Sequence, residues 1–340
     1  MIRAVVVAAT LLVLSGSISA DVRAANAQAS PDYAPLTIPL HVERVPGLPI
    51  WYSIGNPGIP GKDNEGNTSN AGFVVTSDGV AVFDALGTPS LGWALLQEIR
   101  KVTDKPVRYV VASHYHADHI YGLQAFKDHS AALIVAQERA GEYKENEETA
   151  DEKADQRLEQ RRGALFPWVN DTTRVVPPDI TFKERMTIVL GDRRLTLLFA
   201  GPAHSSSDMM MMVEPDGVLF AGDIVQNGRI PFMNSDDVST AHWLDALDEV
   251  EKLQPKFIIP GHGKPSTGAA EAIAFTRDYI RYVRDAMAAA VKNWTDFDAA
   301  YAQADWSAYK DVPAFANNNR GNAYRIYLEL EQSQFKGDKP

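Results

Sequence analysis

Cysteine is absent from the chain altogether. Disulfides, thiolate zinc fingers, iron–sulfur clusters and a cysteine nucleophile are therefore excluded. Any metal has to be held by histidine and carboxylate. Long apolar runs are missing too: the longest, Ala4–Leu14, spans about 11 residues against the roughly 20 that a membrane-spanning helix needs. Positive charge is sparse, with 33 Lys and Arg against 44 Asp and Glu and a formal charge of −11, which disfavours nucleic acid as a partner. What remains is 45 % apolar and 23 % charged over 340 residues, enough for a large folded core and unlike a disordered chain.

The first residues have the layout of a secretory signal peptide. Arg3 precedes the apolar run, small and polar residues follow from Ser15 to Ala20, and a second small-residue stretch runs from Ala24 to Ala29. Cleavage after Ala20 or after Ala29 fits equally well. Export to the periplasm or beyond is the expectation, with no stable membrane span in the mature chain.

Beyond a Pro-rich lead-in, two halves share one grammar. Gly72–Thr76, the turn Ser77-Asp78-Gly79 and Val80–Phe83 read as a hairpin closing on Asp84. A helix over Ser90–Val102 and a Pro-led strand over Val107–Ala112 follow, running into His114. The second half repeats this order: a hairpin with its turn at Pro215-Asp216-Gly217, Asp223, a helix over Thr240–Leu253, the strand Phe257–Ile259 and then His262. Such a duplication predicts two facing sheets with helices outside, and carboxylate and histidine ends converging at one edge. The segment from Ala136 to Pro178 is expected to start as a helix, and its charged run Glu142–Arg162 to be a solvated face or a lid. A long helix is expected over Gly268–Lys292, and more helix over Phe297–Gln334. The run Met209–Met212 reads as core strand, because alternate methionines face opposite sides of a sheet.

Three of the eight histidines fall within six positions, His114-Tyr115-His116-Ala117-Asp118-His119. Residues 114 and 116 share a side as a strand ends. The next turn presents Asp118 and His119 from another angle, ahead of a helix over Ile120–Phe126. One short loop thus offers four ligands in two directions, enough for two adjacent metals. Imidazole and carboxylate suit zinc in particular, and iron or manganese as well. His41, His129 and His242 lack such a context and read as structural or surface residues.

The motif His114-x-His116-x-Asp118-His119 resembles the signature of the metallo-β-lactamase superfamily, and further matches follow in order at Ala203-His204, Gly222-Asp223 and Gly261-His262-Gly263. The resemblance covers roughly residues 50–265. It implies an α/β fold, a four-layer αββα metallo-β-lactamase sandwich over residues 30–267, with a C-terminal helical extension over 268–340. It also implies one metal site at His114, His116 and His204, a second at Asp118, His119 and His262, and Asp223 between them. A carboxylate at Asp223 is typical of glyoxalase II-like hydrolases and lactonases rather than of class B lactamases. The stretches Ser113–Phe126 and Phe220–Phe232, with the tail around Pro313–Tyr327, look closer to exported SoxH-like metallohydrolases of quinoprotein relay systems.

The function so implied is hydrolysis of a small-molecule ester, thioester, lactone or amide by a metal-bound hydroxide, with two zinc ions and Asp118 shuttling the proton. β-Lactamase activity and a non-catalytic metal or binding role in a periplasmic oxidation system are the alternatives. Asp84 is a candidate partner for a ligand histidine, or else a hairpin-end cap. Arg229 is a candidate partner for a substrate carboxylate, or else a turn arginine in a surface ion pair. The Gly- and Asn-rich loop Gly55–Gly72 stands where the family carries a substrate-covering loop.

Overall fold

A computed structural model describes residues 33–141 and 150–336. A first, seven-stranded sheet runs in chain order: β1 (Glu43–Arg44), β2 (Ile50–Ser53), β3 (Ala71–Val75), β4 (Val80–Phe83), β5 (Val107–Val111), β6 (Leu133–Gln137) and β7 (Ile180–Phe182). A second, five-stranded sheet comprises β8 (Arg185–Leu190), β9 (Arg193–Phe199), β10 (Met209–Glu214), β11 (Val218–Gln226) and β12 (Phe257–His262), in the spatial order β12-β11-β10-β9-β8. The helices are α1 (Pro89–Val102), α2 (Ala117–Ile120), α3 (Leu123–His129), α4 (Ala150–Leu165), α5 (Thr240–Lys252), α6 (Ala269–Lys292), α7 (Phe297–Gln303) and α8 (Phe315–Lys336).

Strand pleating sends successive side chains to opposite faces, and here both faces are apolar. Val80 and Val82 pack outward with Leu91, Leu95 and Ile99 of α1. Ala81 and Phe83 point inward to meet Met209, Met211 and Phe220 of the other sheet. Met210 and Met212 face outward again, beneath Trp243 and Leu247 of α5 and Ile273 and Ile280 of α6. The methionine run is therefore core strand, and helix, sheet, sheet and helix form four layers. Phe83 and Phe220 stack across the intersheet core at 5.3 Å between ring centroids.

The repeated grammar folds as a repeated unit. In each half an antiparallel hairpin is followed by a helix and a parallel strand, β4 beside β5 and β11 beside β12. Thr88 caps α1 by accepting from Leu91 N–H, and Ser239 caps α5. Loops at the carboxyl ends of these parallel strands carry the candidate ligands.

Several expectations change. Residues from Ala136 do not begin a helix: Leu133–Gln137 pairs with β5 and β7 as a strand, and only Glu138–Gly141 coils as a 3-10 turn. Helix also starts earlier than Ile120, so Asp118 and His119 ride on α2. It then breaks at Gly122, whose position against the Ala85 carbonyl leaves no room for a Cβ, at 1.7 Å. The C-terminal stretch is two helices, α7 and α8, separated by turns before Pro313. The expected signal segment, residues 1–29, and the first part of the charged run, 142–149, lie outside the described residues. Among those described, no helix is long and apolar enough to cross a membrane.

Candidate metal centre

Five segments of the chain converge at the edge shared by the two sheets. The segment after β5 supplies His114 and His116, and α2 supplies Asp118 and His119. The loop between β9 and β10 supplies His204, Asp223 lies within β11, and His262 ends β12. The β11–β12 register shifts on either side of Gly222, a bulge that re-aims the next side chain, Asp223. Gly222 has φ +51, and a Cβ there would lie 2.8 Å from that of Ser113. Glycine is needed at position 261 for another reason: a Cβ there would stand 2.0 Å from Asp223 Oδ1.

All seven residues that the resemblance marks come together. Their donor atoms form three overlapping groups able to hold a metal: His114, His116 and His204; His114, His119 and Asp223; Asp118, His119 and His262. His116 Nδ1 is 2.9 Å from His204 Nε2. Asp223 stands between the two ends, with Oδ2 3.2 Å from Nε2 of both His204 and His262, and Oδ1 3.2 Å from His119 Nε2. Asp118 Oδ2 lies 3.6 Å from His262 Nε2.

The buried partners fix which nitrogen of each ring is available. Asp84 Oδ2 accepts from His119 Nδ1 at 2.8 Å. Asp84 also accepts from Ser113 N–H at 2.7 Å and from Ser113 O–H at 2.8 Å, so the Ser113 oxygen is free to accept from His114 Nδ1, 2.9 Å away. The Thr68 carbonyl accepts from His262 Nδ1 at 2.7 Å. Each bond leaves Nε2 facing the gap. Asp84 is thus a partner for ligand histidines, holding one directly and another through Ser113. It occupies the left-handed region, φ +61, at the hairpin end.

Donors left without partners test whether a cation fits. His114 Nε2 is buried and makes no hydrogen bond, and the buried His119 Nε2 and Asp223 Oδ1 face only each other, 3.2 Å apart. Such atoms are costly unless something binds them. Electrostatics divide the site in two. Burial first, and then the neighbouring imidazoles, push His114 well below its ordinary pKa, and His116 goes down to about 3. Burial also lowers His204. That triad is kept as neutral lone-pair donors. Burial opposes charge on His119 as well, but the carboxylates of Asp223, Asp84 and Asp118 outweigh it and hold this imidazole well above its usual range. Asp118 and Asp223 are correspondingly held low by their histidines against the effect of burial. The carboxylate end therefore draws positive charge, and the residues present fit metal cations.

Several supporting residues carry no sequence signal. Gln226 donates to Asp223 Oδ2 at 3.1 Å and is itself pinned through its backbone by Thr276 of α6. Thr68 and Ser69 hydrogen-bond the side chain and carbonyl of Asp118. Asn70 reaches the carbonyls of Pro260 and Gly263, both at 2.8 Å. The Gly- and Asn-rich loop thus joins Asp118 to His262, and its Ile59 and Pro60 line the cavity. Asp237 accepts from Tyr115 O–H at 2.5 Å and from Ser206 N–H at 2.8 Å, tying the His116 segment to the His204 loop. A side chain that acts through one carbonyl or one amide has no characteristic spacing to read.

A cavity of about 580 Å³ opens onto His116, Asp118, His204, Asp223 and His262. Arg229 lines it and is only 5 % exposed, so a surface ion pair is ruled out. Its Nη1 lies 2.7 Å from His262 Nδ1. Burial lowers its pKa, though a guanidinium remains charged in proteins. The described part of the charged run is not simply solvated. Leu158 and Leu165 of α4 are buried in the same core as Val80, Val82 and the apolar face of α1, and Arg157 and Arg161 line the cavity. His41 and His242 are exposed, and the half-buried His129 packs on Trp93, all away from this site.

Asp208 anchors the His204 loop by accepting from Ser205 N–H at 2.6 Å and Ser205 O–H at 2.8 Å. Its carboxyl is pushed up to about 8, chiefly by burial. An unfolded aspartate titrates near ~3.9, so between there and about 8 the folded chain alone keeps this proton. Stability then falls as pH rises through that window, by up to about 1.4 kcal/mol per pH unit. Asp208→Asn keeps an acceptor for Ser205 N–H and has no proton to lose. Its melting temperature relative to the wild type is expected to climb from pH 5 to pH 9; a difference constant with pH would contradict this.

Comparison with known proteins agrees with this geometry. The family described as the metallo-beta-lactamase superfamily matches residues 65–262, more than half of the chain. A linear primary-alkylsulfatase from Pseudomonas sp. is 23 % identical over an alignment of 250 positions that covers 63 % of this chain and 45 % of that protein. The chain thus spans less than half the length of that relative. The human acyl-coenzyme A thioesterase MBLAC2 is 28 % identical over 228 residues, 63 % of this chain and 80 % of that one. Among solved structures, the sec-alkylsulfatase Pisa1 from Pseudomonas sp. superposes with a TM-score of 0.65 at 16 % identity, covering 88 % of this chain and 52 % of that one. A metallo-beta-lactamase from Pontibacter korlensis gives 0.53 at 18 % identity, covering 71 % and 99 %.

Proposed function

The chain belongs to the metallo-beta-lactamase superfamily, and from that premise we propose that it is a metal-dependent hydrolase with two zinc ions in its site. One observation carries this reading: two groups of ligands share a buried edge, and Asp223 reaches both. His114, His116 and His204 would hold one ion, Asp118, His119 and His262 the other, with Asp223 between them. Bound there, the ions would lower the pKa of water towards neutrality and polarise the electrophile.

The protein's own groups do the rest. Asp118 lines the cavity with its side chain 15 % exposed, the position for taking a proton and returning it to a leaving group. Thr68 and Ser69 hold Asp118 in place, and Gln226 holds Asp223. Asp84 keeps His119 and, through Ser113, His114 in the tautomer that a cation needs. The relatives, an alkylsulfatase and an acyl-coenzyme A thioesterase, support an ester-like bond as the target: ester, thioester, lactone, amide or sulfate ester.

Within the superfamily, Ser113–Phe126 and Phe220–Phe232 favour a place beside the SoxH-like, quinoprotein relay metallohydrolases. The layout of residues 1–29 favours export to the periplasm. N-terminal sequencing of the periplasmic protein tests export, since a start at Asp21 or Ser30 is expected.

The function itself is tested on full-length protein purified without added metal. Metal content is measured first, and about two zinc per chain are expected. Turnover is then screened on an ester, a thioester, a lactone, an amide, an alkyl sulfate and nitrocefin, with His116→Ala as control. Turnover that a chelator abolishes and zinc restores, and that His116→Ala lacks, is the expected result, with nitrocefin weak or inert. Two iron per chain with little zinc would overturn the zinc assignment. No metal-dependent turnover on any substrate would favour a binding role.

A further inference from the structure

Three cations line the cavity that opens onto the carboxylates. Arg157 and Arg161 are four residues apart on α4, so they share one face of that helix. Arg229 lines the same cavity beside His262. The chain as a whole carries a formal charge of −11, so three guanidinium groups on one cavity are a local concentration against the general trend.

No ion pair among the described residues accounts for Arg161 or Arg229. Arg229 is 5 % exposed, its Nε has no hydrogen-bond partner, and it forms no ion pair among the described residues. Arg161 likewise has no ion pair among the described residues. Arg157 packs on the Tyr115 ring, its guanidinium carbon 5.3 Å from the centroid, which sets its direction. Two acids of the cavity, Asp118 and Asp223, are engaged by histidines at 3.2 to 3.9 Å, and Asp237 is engaged by Tyr115 and Ser206. Like charges brought to one cavity repel unless an anion lies among them.

The wall is also held in place. Leu158 and Leu165 anchor α4 in the core shared with Val80, Val82 and α1, and Leu165 sits against Gly66, where even a Cβ would be 3.0 Å from it. The rim also has an apolar part, Ile59 and Phe232, which line the cavity at 45 % and 40 % exposure beside polar residues such as Gln160 and Asn234.

We infer that Arg161, Arg229 and Arg157 form an oxyanion-binding subsite, so that the enzyme acts on anionic substrates whose apolar arm lies along Ile59 and Phe232. The inference rests on the hydrolase reading, and it names the substrate class for the same site. Planar guanidinium groups recognise carboxylate and sulfate alike. Two sources of the anion therefore satisfy the geometry. In an alkyl sulfate the anion is the reacting group, and in a half-ester of a dicarboxylic acid it lies away from the reacting bond.

The test uses the full-length, zinc-loaded protein and compares wild type, Arg161→Gln and Arg194→Gln, an exposed arginine on β9 remote from the cavity. Binding of inorganic sulfate is measured by calorimetry. Turnover is measured with p-nitrophenyl butyrate, with mono-p-nitrophenyl glutarate as its carboxylate-bearing counterpart, and with octyl sulfate. Sulfate binding is expected to weaken at least about tenfold in Arg161→Gln and to stay as it was in Arg194→Gln. The preference for an anionic substrate over the neutral ester, in kcat/KM, is expected to fall by a similar factor in Arg161→Gln alone. Loss of preference for glutarate or for octyl sulfate tells which source the subsite serves. Unchanged sulfate binding in Arg161→Gln, or wild-type turnover without anionic preference, overturns the subsite and leaves the hydrolase standing. Sulfate binding that depends on Arg161, with no turnover of any substrate, upholds the anion site and overturns the hydrolase reading.

Discussion

Replacing Asp223 by asparagine is expected to lower turnover about a thousandfold and to cost the protein one of the two metal ions proposed for its site. The magnitude follows from metal polarisation being worth several kcal/mol, with each ~1.4 kcal/mol a factor of ten. The direction follows from geometry. Asp223 reaches both ends of the site, with one oxygen 3.2 Å from His204 and His262 and the other 3.2 Å from His119. Asparagine is the same size, so the fold around β11 has no reason to change. It removes the negative charge, however, and turns one acceptor into an amide donor facing imidazole lone pairs. Metal content after dialysis and steady-state kinetics on the substrate found active check the result. Two tightly held ions and activity within tenfold of wild type would show that Asp223 does not join the sites.

Replacing Asp84 by asparagine is expected to weaken metal binding by about 10- to 100-fold, although Asp84 touches no metal-facing atom. Asparagine tolerates the left-handed backbone at this position, φ +61, so strain is not the cause. The cause is a mismatch of donors. Asp84 Oδ2 accepts from both His119 Nδ1 and Ser113 O–H, each at 2.8 Å. If the amide group takes that place, two donors meet at His119, and the ring flips or changes tautomer, withdrawing Nε2 from the gap. Ser113 loses its acceptor at the same time, which releases His114. Competition with a chromophoric chelator measures the affinity, and circular dichroism checks the fold. Affinity within a factor of three of wild type would mean that neither imidazole depends on Asp84.

Legibility differed sharply between kinds of residue. The ligands were readable because a metal needs several donors of few types, and short segments such as His114–His119 carry them at strand ends. The hairpins were readable because Asp-Gly turns and alternation of apolar residues are local signals. Leu133–Gln137 was not, since a short apolar run satisfies helix and strand equally. Its pairing with β5 and β7, far away in sequence, decides the matter. The split of the expected helix at Gly122 has a similar origin, for it depends on the carbonyl of Ala85, on another segment.

Arg229 shows the limit most clearly. From the sequence it is a polar residue in an Asn-Gly-Arg turn, where exposure and an ion pair are the ordinary outcome. In the fold the C-terminal helix α8 clamps the segment that follows it. Asn318 donates to the Ile230 carbonyl at 3.0 Å, and Asn322 binds the Pro231 carbonyl and the Met233 amide at 2.7 and 2.8 Å. With the next residues fixed in this way, the guanidinium is turned inward onto His262.

The missing cysteines left histidine and carboxylate as the only candidate ligand types, and the sequence by itself determined the candidate ligands, the order of their segments and the layered α/β class. All three rest on local patterns: residue type, spacing and strand periodicity. Only the tertiary structure decided that Asp223 reaches both groups, that Asp84 and Thr68 set the imidazole tautomers, and that three arginines face the same cavity. Those are distances between segments far apart in the chain, and they exist only once two sheets pack face to face and bring the ends of their strands to one edge.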